Sequence, residues 1–255
     1  MFHTYRQITA TGRVFFVGDL HGCVSDLKYR LAGVGFQPER GDLLVCTGDL
    51  IDRGTESLAA LRLLDEPWFF SVAGNHEELA LQAVTTRGRD ANKQWLANGG
   101  EWFGELDDAD KAEASERIRG LAALPLLLEV VLPTGQRIGV AHATVPGCDW
   151  SRAPALIEGG WYQNMVLWDR SIWREVRVLY RDRQPDLDVS QVPLFTNIDA
   201  VVLGHNITLR PEPLRFSNGV WIDTGAFTAR GELTVLAADD VLALVAAPPA
   251  RLRDF

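Results

Sequence analysis

The sequence predicts an α/β fold, and three observations carry that prediction. Short apolar runs recur along the chain and close on Gly-Asp, Gly-Asn, Ala-His or Gly-His steps. In the first third, stretches with helical spacing separate those runs. No break in composition marks a linker, so one domain spanning residues 1–255 is expected, with a possible lid or insertion at about 145–197. With 255 residues, 47% of them hydrophobic and 23% charged, the chain can bury a sizeable core and is unlike a disordered sequence.

Arg13–Val17 is a β-prone run ending at Gly18, and Ser25 is placed to cap a helix over Asp26–Ala32. Asp42–Thr47 reads as a second buried strand ending at Gly48. Thr55–Glu66 carries Leu58, Leu61 and Leu64 at helical spacing and is stopped by Pro67. Trp68–Ala73 is a third strand ending at Gly74, followed by a helix over Glu77–Val84. Asp107–Ala123 reads as a helix with a charged outer face, entered through the acidic run Glu105–Asp110. Leu126–Leu132 and Arg137–Ala141 read as a hairpin around Pro133-Thr134-Gly135. Ala200–Leu203, Val220–Ile222, Glu232–Ala237 and Val241–Val245 are expected to close the chain as strands. Met1–Thr11 has no apolar run, so no signal peptide is expected, and His3 reads as part of a solvated terminus.

The formal net charge of −9 argues against a protein held to nucleic acid or anionic lipid by bulk attraction. No segment approaches the roughly 18 to 20 apolar residues a membrane helix needs. Three cysteines (Cys23, Cys46, Cys148) imply no disulfide framework. The expectation is a soluble, cytoplasmic protein with neither a nucleic-acid nor a membrane partner.

Only five histidines occur, and four of them fall in or next to the steps that end apolar runs. Gly18-Asp19-Leu20-His21-Gly22 follows the first strand, Gly48-Asp49-Leu50-Ile51-Asp52-Arg53-Gly54 the second, and Gly74-Asn75-His76-Glu77 the third. His142 ends Ile138–Ala141, and Gly204-His205-Asn206 ends Val201–Leu203. Ligands gather at the carboxyl ends of strands in open α/β sheets, so these turns are expected to meet. Asp19 and His21 are two apart and would point the same way from an extended exit.

Carboxylate, imidazole and amide oxygen suit hard to borderline divalent ions, and the set contains no thiolate. The donors suffice for two ions. Asp19, His21 and Asp49 would hold one, and Asn75, His142 and His205 the other, with Asp49 bridging. Two divalent ions, two ligating carboxylates and a hydroxide leave about one net positive charge, which favours a phosphate anion. Such a pair activates water and steadies both oxygens of an in-line displacement. Arg53 lies on the Asp49 loop and suits bidentate contact with phosphate. His76 follows a ligand directly and suits a general acid, with Asp52 to orient it and hold it protonated.

The first three blocks resemble the signature blocks of the PPP family of metallophosphoesterases. The likeness is nearest to the phage lambda-type and small bacterial serine/threonine protein phosphatases. It extends through Trp95-Leu96-Ala97-Asn98-Gly99-Gly100, Leu124-Pro125, Ala141-His142-Ala143, Leu167-Trp168-Asp169-Arg170 and Ile222-Asp223-Thr224-Gly225-Ala226, from about Arg13 to Leu236. The resemblance implies a calcineurin-like metallophosphoesterase fold, a central β-sandwich flanked by helices. It implies a dinuclear Mn²⁺-type centre (Fe, Zn or Mg being the other candidates) whose bound hydroxide attacks in line, without a phosphoenzyme. It carries the metal roles onto Asp19, His21, Asp49, Asn75, His142 and His205, makes His76 the acid supported by Asp52, and makes Arg53 and Arg170 the phosphate clamp. The implied substrate is a phosphoprotein or phosphopeptide, and the product inorganic phosphate.

Two positions depart from the family pattern. Asp169 stands before the clamp arginine, where it could pair with Arg170, and Asn206 follows His205 where Thr is usual. The alternative activity is a symmetrical dinucleoside tetraphosphate hydrolase or another small-molecule phosphoesterase. The second block of the tetraphosphatases lacks the Asp present here as Asp52, which favours the protein phosphatase. A non-catalytic scaffold on the same fold would be expected to have lost ligands, and none is missing.

Overall fold

The computed structural model describes residues 2–86, 88–181, 194–208 and 210–247. In chain order the elements begin with β1 (His3–Thr9), β2 (Val14–Val17), α1 (Val24–Gly33), β3 (Leu43–Cys46), α2 (Ser57–Arg62), β4 (Phe69–Ser71) and α3 (Asn75–Thr86). Next come α4 (Arg89–Leu96), α5 (Trp102–Glu105), α6 (Asp108–Gly120), β5 (Pro125–Val131), β6 (Arg137–Ala141), α7 (Ala153–Glu158), α8 (Gln163–Trp168) and α9 (Ser171–Arg181). The chain then continues through β7 (Ala200–Leu203), β8 (Leu214–Phe216), β9 (Gly219–Trp221), β10 (Val235–Ala237) and α10 (Ala238–Ala246).

The strands form two sheets, β1-β5-β6-β7-β9-β8 and β10-β2-β3-β4. Period-2 alternation sends neighbouring side chains to opposite faces, and in the central strands β2, β3, β5, β6, β7 and β9 both faces are buried. Phe16 and Val45 of the smaller sheet pack with Leu128, Val140, Val202 and Val220 of the larger, forming the layer between them. Phe15, Val17, Leu44, Leu127 and Leu203 point outward and pack in a second core that includes Leu27 of α1, Leu61 of α2 and Leu79 of α3. The result is a β-sandwich with helices against its outer faces. Strands β2, β3 and β4 run parallel, as do β6, β7 and β9, so each sheet delivers three carboxyl ends in register.

Several elements differ from the sequence reading. Residues 3–9 form β1, paired parallel to β5 at the sheet edge; most of its residues are exposed, so no apolar pattern announces it. Val241–Val245 lies within α10, since an apolar run of that length suits a helix as well as a strand. Helix α1 starts at Val24 and Ser25 does not cap it; instead the Glu56 carboxylate accepts from the Ser25 N–H at 2.8 Å and from its hydroxyl at 2.7 Å. Within 145–197 the chain forms α7, α8 and α9, while residues 182–193 of that stretch lie outside the described set. Among the described residues no helix is long and apolar enough to cross a membrane.

Gly139 on β6 faces the Trp150 ring, whose indole N–H donates to the buried Glu129 at 2.7 Å. A methyl group there would overlap the ring. Gly139→Ala is therefore expected to lower stability by about 1–3 kcal/mol, the usual cost of overpacking, read by urea unfolding.

Candidate active site

The carboxyl ends of β2, β3, β4, β6, β7 and β9 meet at one edge of the sandwich. Asp19, His21, Asp49, Asn75, His142 and His205, predicted from sequence, are all buried there. Asp49 lies at the centre. Its Oδ2 faces His21 Nε2 at 3.7 Å and His76 Nε2 at 3.9 Å, while its Oδ1 lies 3.5 Å from His142 Nε2. Ligand atoms of His21, Asp49 and His76 form one compact group, and those of Asp49, His142 and His205 form another, with Asp49 common to both. Asn75 Oδ1 sits 2.9 Å from His142 Nε2.

The turns that achieve this use backbone that side-chain-bearing residues seldom adopt. His21, Asp49, Asp52, Arg53 and His205 have φ of 42°, 48°, 74°, 68° and 63°. Each such residue costs on the order of 1–3 kcal/mol and persists only when its surroundings hold it. Here Glu77 does much of the holding: its buried carboxylate accepts from the backbone N–H groups of Asp49, Leu50 and Gly74, each at 2.8 Å. Gly74 is glycine because a methyl group there would overlap Asp49 Oδ1. In the first turn of α3 the His76 N–H donates to Asp49 Oδ1 at 2.9 Å.

The exit from β2 is not extended through His21, which has left-handed backbone. Asp19 turns toward Thr47, whose hydroxyl donates at 2.8 Å, and toward the His205 N–H, also at 2.8 Å. The His21 Nδ1 donates to the Ile51 carbonyl at 3.0 Å, leaving Nε2 to accept from the Arg53 guanidinium at 2.9 Å. The His142 Nδ1 is likewise committed, donating to the Thr47 carbonyl at 2.8 Å. In both rings Nε2 is therefore the acceptor, engaged by Arg53 in His21 and turned toward Asn75 in His142.

Protonation follows burial and neighbours. Burial pushes His21 down to about 3 and His205 down to about 2, and sets His142 below the ordinary imidazole value. Burial also presses on His76, but the charges of Asp49 and Asp52 outweigh it and its pKa lies above the ordinary value. Burial opposes ionisation of Asp49 as well, yet His142, His76 and His21 hold it well below the usual carboxylate range. Asp19 is raised by burial and by the charges of Asp223 and Asp49, and burial pushes Asp223 up to about 6.

His76 Nδ1 lies 2.7 Å from Asp52 Oδ2. Arg53 stacks on the Phe227 ring, 4.5 Å from its centroid, and Phe227 meets His21 edge-on at 4.8 Å. Arg170 donates to Asn206 Oδ1 at 2.9 Å and to the His205 carbonyl at 3.3 Å. The expected pairing with Asp169 does not form: Asp169 accepts from the Ser171 N–H and hydroxyl at the start of α9. Trp168 lies edge-on to His205 at 6.4 Å and donates to Glu78 at 2.7 Å. Asp223 and Phe227 received no role from sequence. Asp223 stands in a quoted motif and ends an apolar strand, the signal that marks the other site residues, whereas nothing local marks Phe227.

The calcineurin-like phosphoesterase profile matches residues 12–207, well over half of the chain. The chain belongs to the calcineurin-like phosphoesterase family. This phosphoesterase is 36% identical over 214 residues to serine/threonine-protein phosphatase 2 of Salmonella typhimurium, covering 84% of this chain and 88% of that one. At 27% identity it is similar to a symmetrical bis(5'-nucleosyl)-tetraphosphatase of Methylococcus capsulatus, covering 92% and 95% of the two chains. In fold it is similar to a crystal structure provisionally assigned as a diadenosine tetraphosphatase, with a TM-score of 0.63 and 20% identity, covering 94% of this chain and 95% of that one.

Glu77→Ala strands three backbone donors. Each buried donor left unpaired costs about 1–3 kcal/mol, so the phosphoesterase variant is expected to lose at least about 3 kcal/mol of stability in denaturant unfolding.

Proposed function

We propose that this phosphoesterase is a metal-dependent serine/threonine protein phosphatase, acting on phosphoserine and phosphothreonine in cytoplasmic phosphoproteins and releasing inorganic phosphate. The observation that carries this reading is Asp49, one carboxylate shared by two groups of imidazoles. Fit to a pair of divalent ions rests on the donor set. His142 Nε2 and Asn75 Oδ1 turn lone pairs toward each other at 2.9 Å, and His205 Nε2 is buried with no partner in the described structure. Asp223 and Asp49 raise the pKa of buried Asp19, and Asp49 raises that of buried Asp223, a crowding of negative charge that suits a cationic occupant.

Asp19, His21 and Asp49 would hold one ion and Asn75, His142 and His205 the other, with Asp49 between them. Oxygen and imidazole donors without thiolate suit Mn²⁺, and also Fe, Zn or Mg. When bound, such a pair lowers the pKa of water and draws charge from the phosphoryl oxygens.

The chain's own side chains supply the rest. Arg53 and Arg170 bind the nonbridging oxygens, Arg53 steadied by Phe227 and Arg170 by Asn206. His76 gives the proton on its Nε2 to the departing serine or threonine oxygen. Asp52 accepts the Nδ1–H at 2.7 Å and so aims that proton. His76 differs from the other three histidines in having a carboxylate behind its ring, which is why we assign it the proton and not a cation.

The serine/threonine reading is favoured over the tetraphosphatase by the higher identity to the phosphatase relative, 36% against 27%. With added Mn²⁺ the purified protein is expected to turn over a phosphoserine peptide faster than diadenosine tetraphosphate, and the reverse order would replace the substrate class. Chelation by EDTA is expected to abolish hydrolysis of either ester, with recovery on adding back Mn²⁺. Asp49→Asn should carry substoichiometric metal by elemental analysis, whereas two retained ions would remove Asp49 from the bridging position. His76→Asn should lose about 10²- to 10⁴-fold in kcat on the phosphoserine peptide while keeping its metal.

A further inference from the structure

The Trp95-Leu96-Ala97-Asn98-Gly99-Gly100 motif takes no part in holding ions or phosphate, yet it presses on the two residues that follow the Asp49 turn. Asp52 is fully buried, and its single ion-pair partner among the described residues is His76. Two indoles supply the remaining donors. Trp95 Nε1 lies 3.0 Å from Asp52 Oδ1 and 3.1 Å from Oδ2, and Trp102 Nε1 lies 2.8 Å from Oδ1. The two rings meet edge-on at 6.2 Å, with Phe103 packed against both.

The glycines between them let the segment close. Gly99 has φ of 104°, its carbonyl accepts from the Arg53 N–H at 3.1 Å, and a methyl group there would crowd Arg53. A methyl group on Gly100 would overlap the Trp95 indole. One eight-residue stretch, Trp95 to Trp102, therefore touches both Asp52 and Arg53 and none of the cation donors.

A buried carboxylate needs its lone pairs satisfied, but a packed tryptophan can use any acceptor. Here both indoles converge on one oxygen, and turning the Asp52 carboxylate about its own bond would break those contacts together. The carboxylate plane is thus fixed, the imidazole hydrogen-bonded to it is fixed in turn, and His76 Nε2 is held toward Asp49.

We propose that Trp95 and Trp102 are positioning residues for protonation of the leaving group, acting through Asp52 on His76. This rests on the assignment of His76 as proton donor in the proposed function. It predicts a dependence on the leaving group that packing alone would not produce, since serine alkoxide must be protonated as it leaves and nitrophenolate departs unaided.

The test compares Trp102→Phe and His76→Asn with wild type on a phosphoserine peptide and on p-nitrophenyl phosphate, all with Mn²⁺ and with bound metal measured. Trp102→Phe is expected to lower kcat on the peptide about 10- to 100-fold, in line with a small misplacement of a reacting group. On p-nitrophenyl phosphate it should stay within about threefold, with KM and metal content unchanged. His76→Asn should show the same bias, more strongly.

If His76→Asn is biased and Trp102→Phe loses equally on both esters, or on neither, the positioning role is overturned and the acid stands. Absence of bias in His76→Asn overturns both. A second measurement covers a Trp102→Phe protein that fails to fold: the Trp95 and Trp102 indole ¹H–¹⁵N resonances should both move on Asp52→Asn in the otherwise intact protein. Unmoved resonances would overturn the proposal.

Discussion

Asp49 is an ionised carboxylate buried between imidazoles, and the surrounding structure is arranged to keep it there. Burial alone would neutralise it; His142, His76 and His21 outweigh that penalty. Asp49 Oδ1 also accepts the His76 N–H in the first turn of α3, while the Asp49 N–H is given to Glu77.

That electrostatic centre is supported by strained backbone. The left-handed conformations of His21, Asp49, Asp52, Arg53 and His205 aim side chains that extended exits would send elsewhere. The sandwich core can sustain this because the central strands that carry the site turns are buried on both faces and cannot shift register without exposing one of them. The stability of the core and the geometry of the site are therefore one problem: rigid parallel strands below, and short turns above that tolerate strain because Glu77 and close glycine contacts leave them no alternative.

The rim of the site shows how the departures from family pattern are absorbed. Asn206 offers an amide oxygen that receives Arg170, and Asp169, the expected rival, spends its carboxylate at the start of α9. Arg53 rests on Phe227. Each arginine thus has its own support, and among the described residues neither forms an ion pair within 4.0 Å.

Much of this was legible in the sequence because the site is built from local turns. A glycine and a polar donor at the end of an apolar run is a one-dimensional signal, and it marked Asp19, His21, Asp49, Asn75, His76, His142 and His205 without any knowledge of contacts. The α/β class and the strands that carry those turns followed from the same pattern. Edge strand β1, whose side chains are largely exposed, left no such pattern, and the apolar run in α10 was equally compatible with a strand. What only the tertiary structure decided is which partners meet across the chain: Asp19 with the N–H of His205, Asp52 with the indoles of Trp95 and Trp102, and Arg53 with Phe227. Those pairings depend on how two sheets stack and where loops from distant segments close over their shared edge, and spacing along a chain carries no record of that.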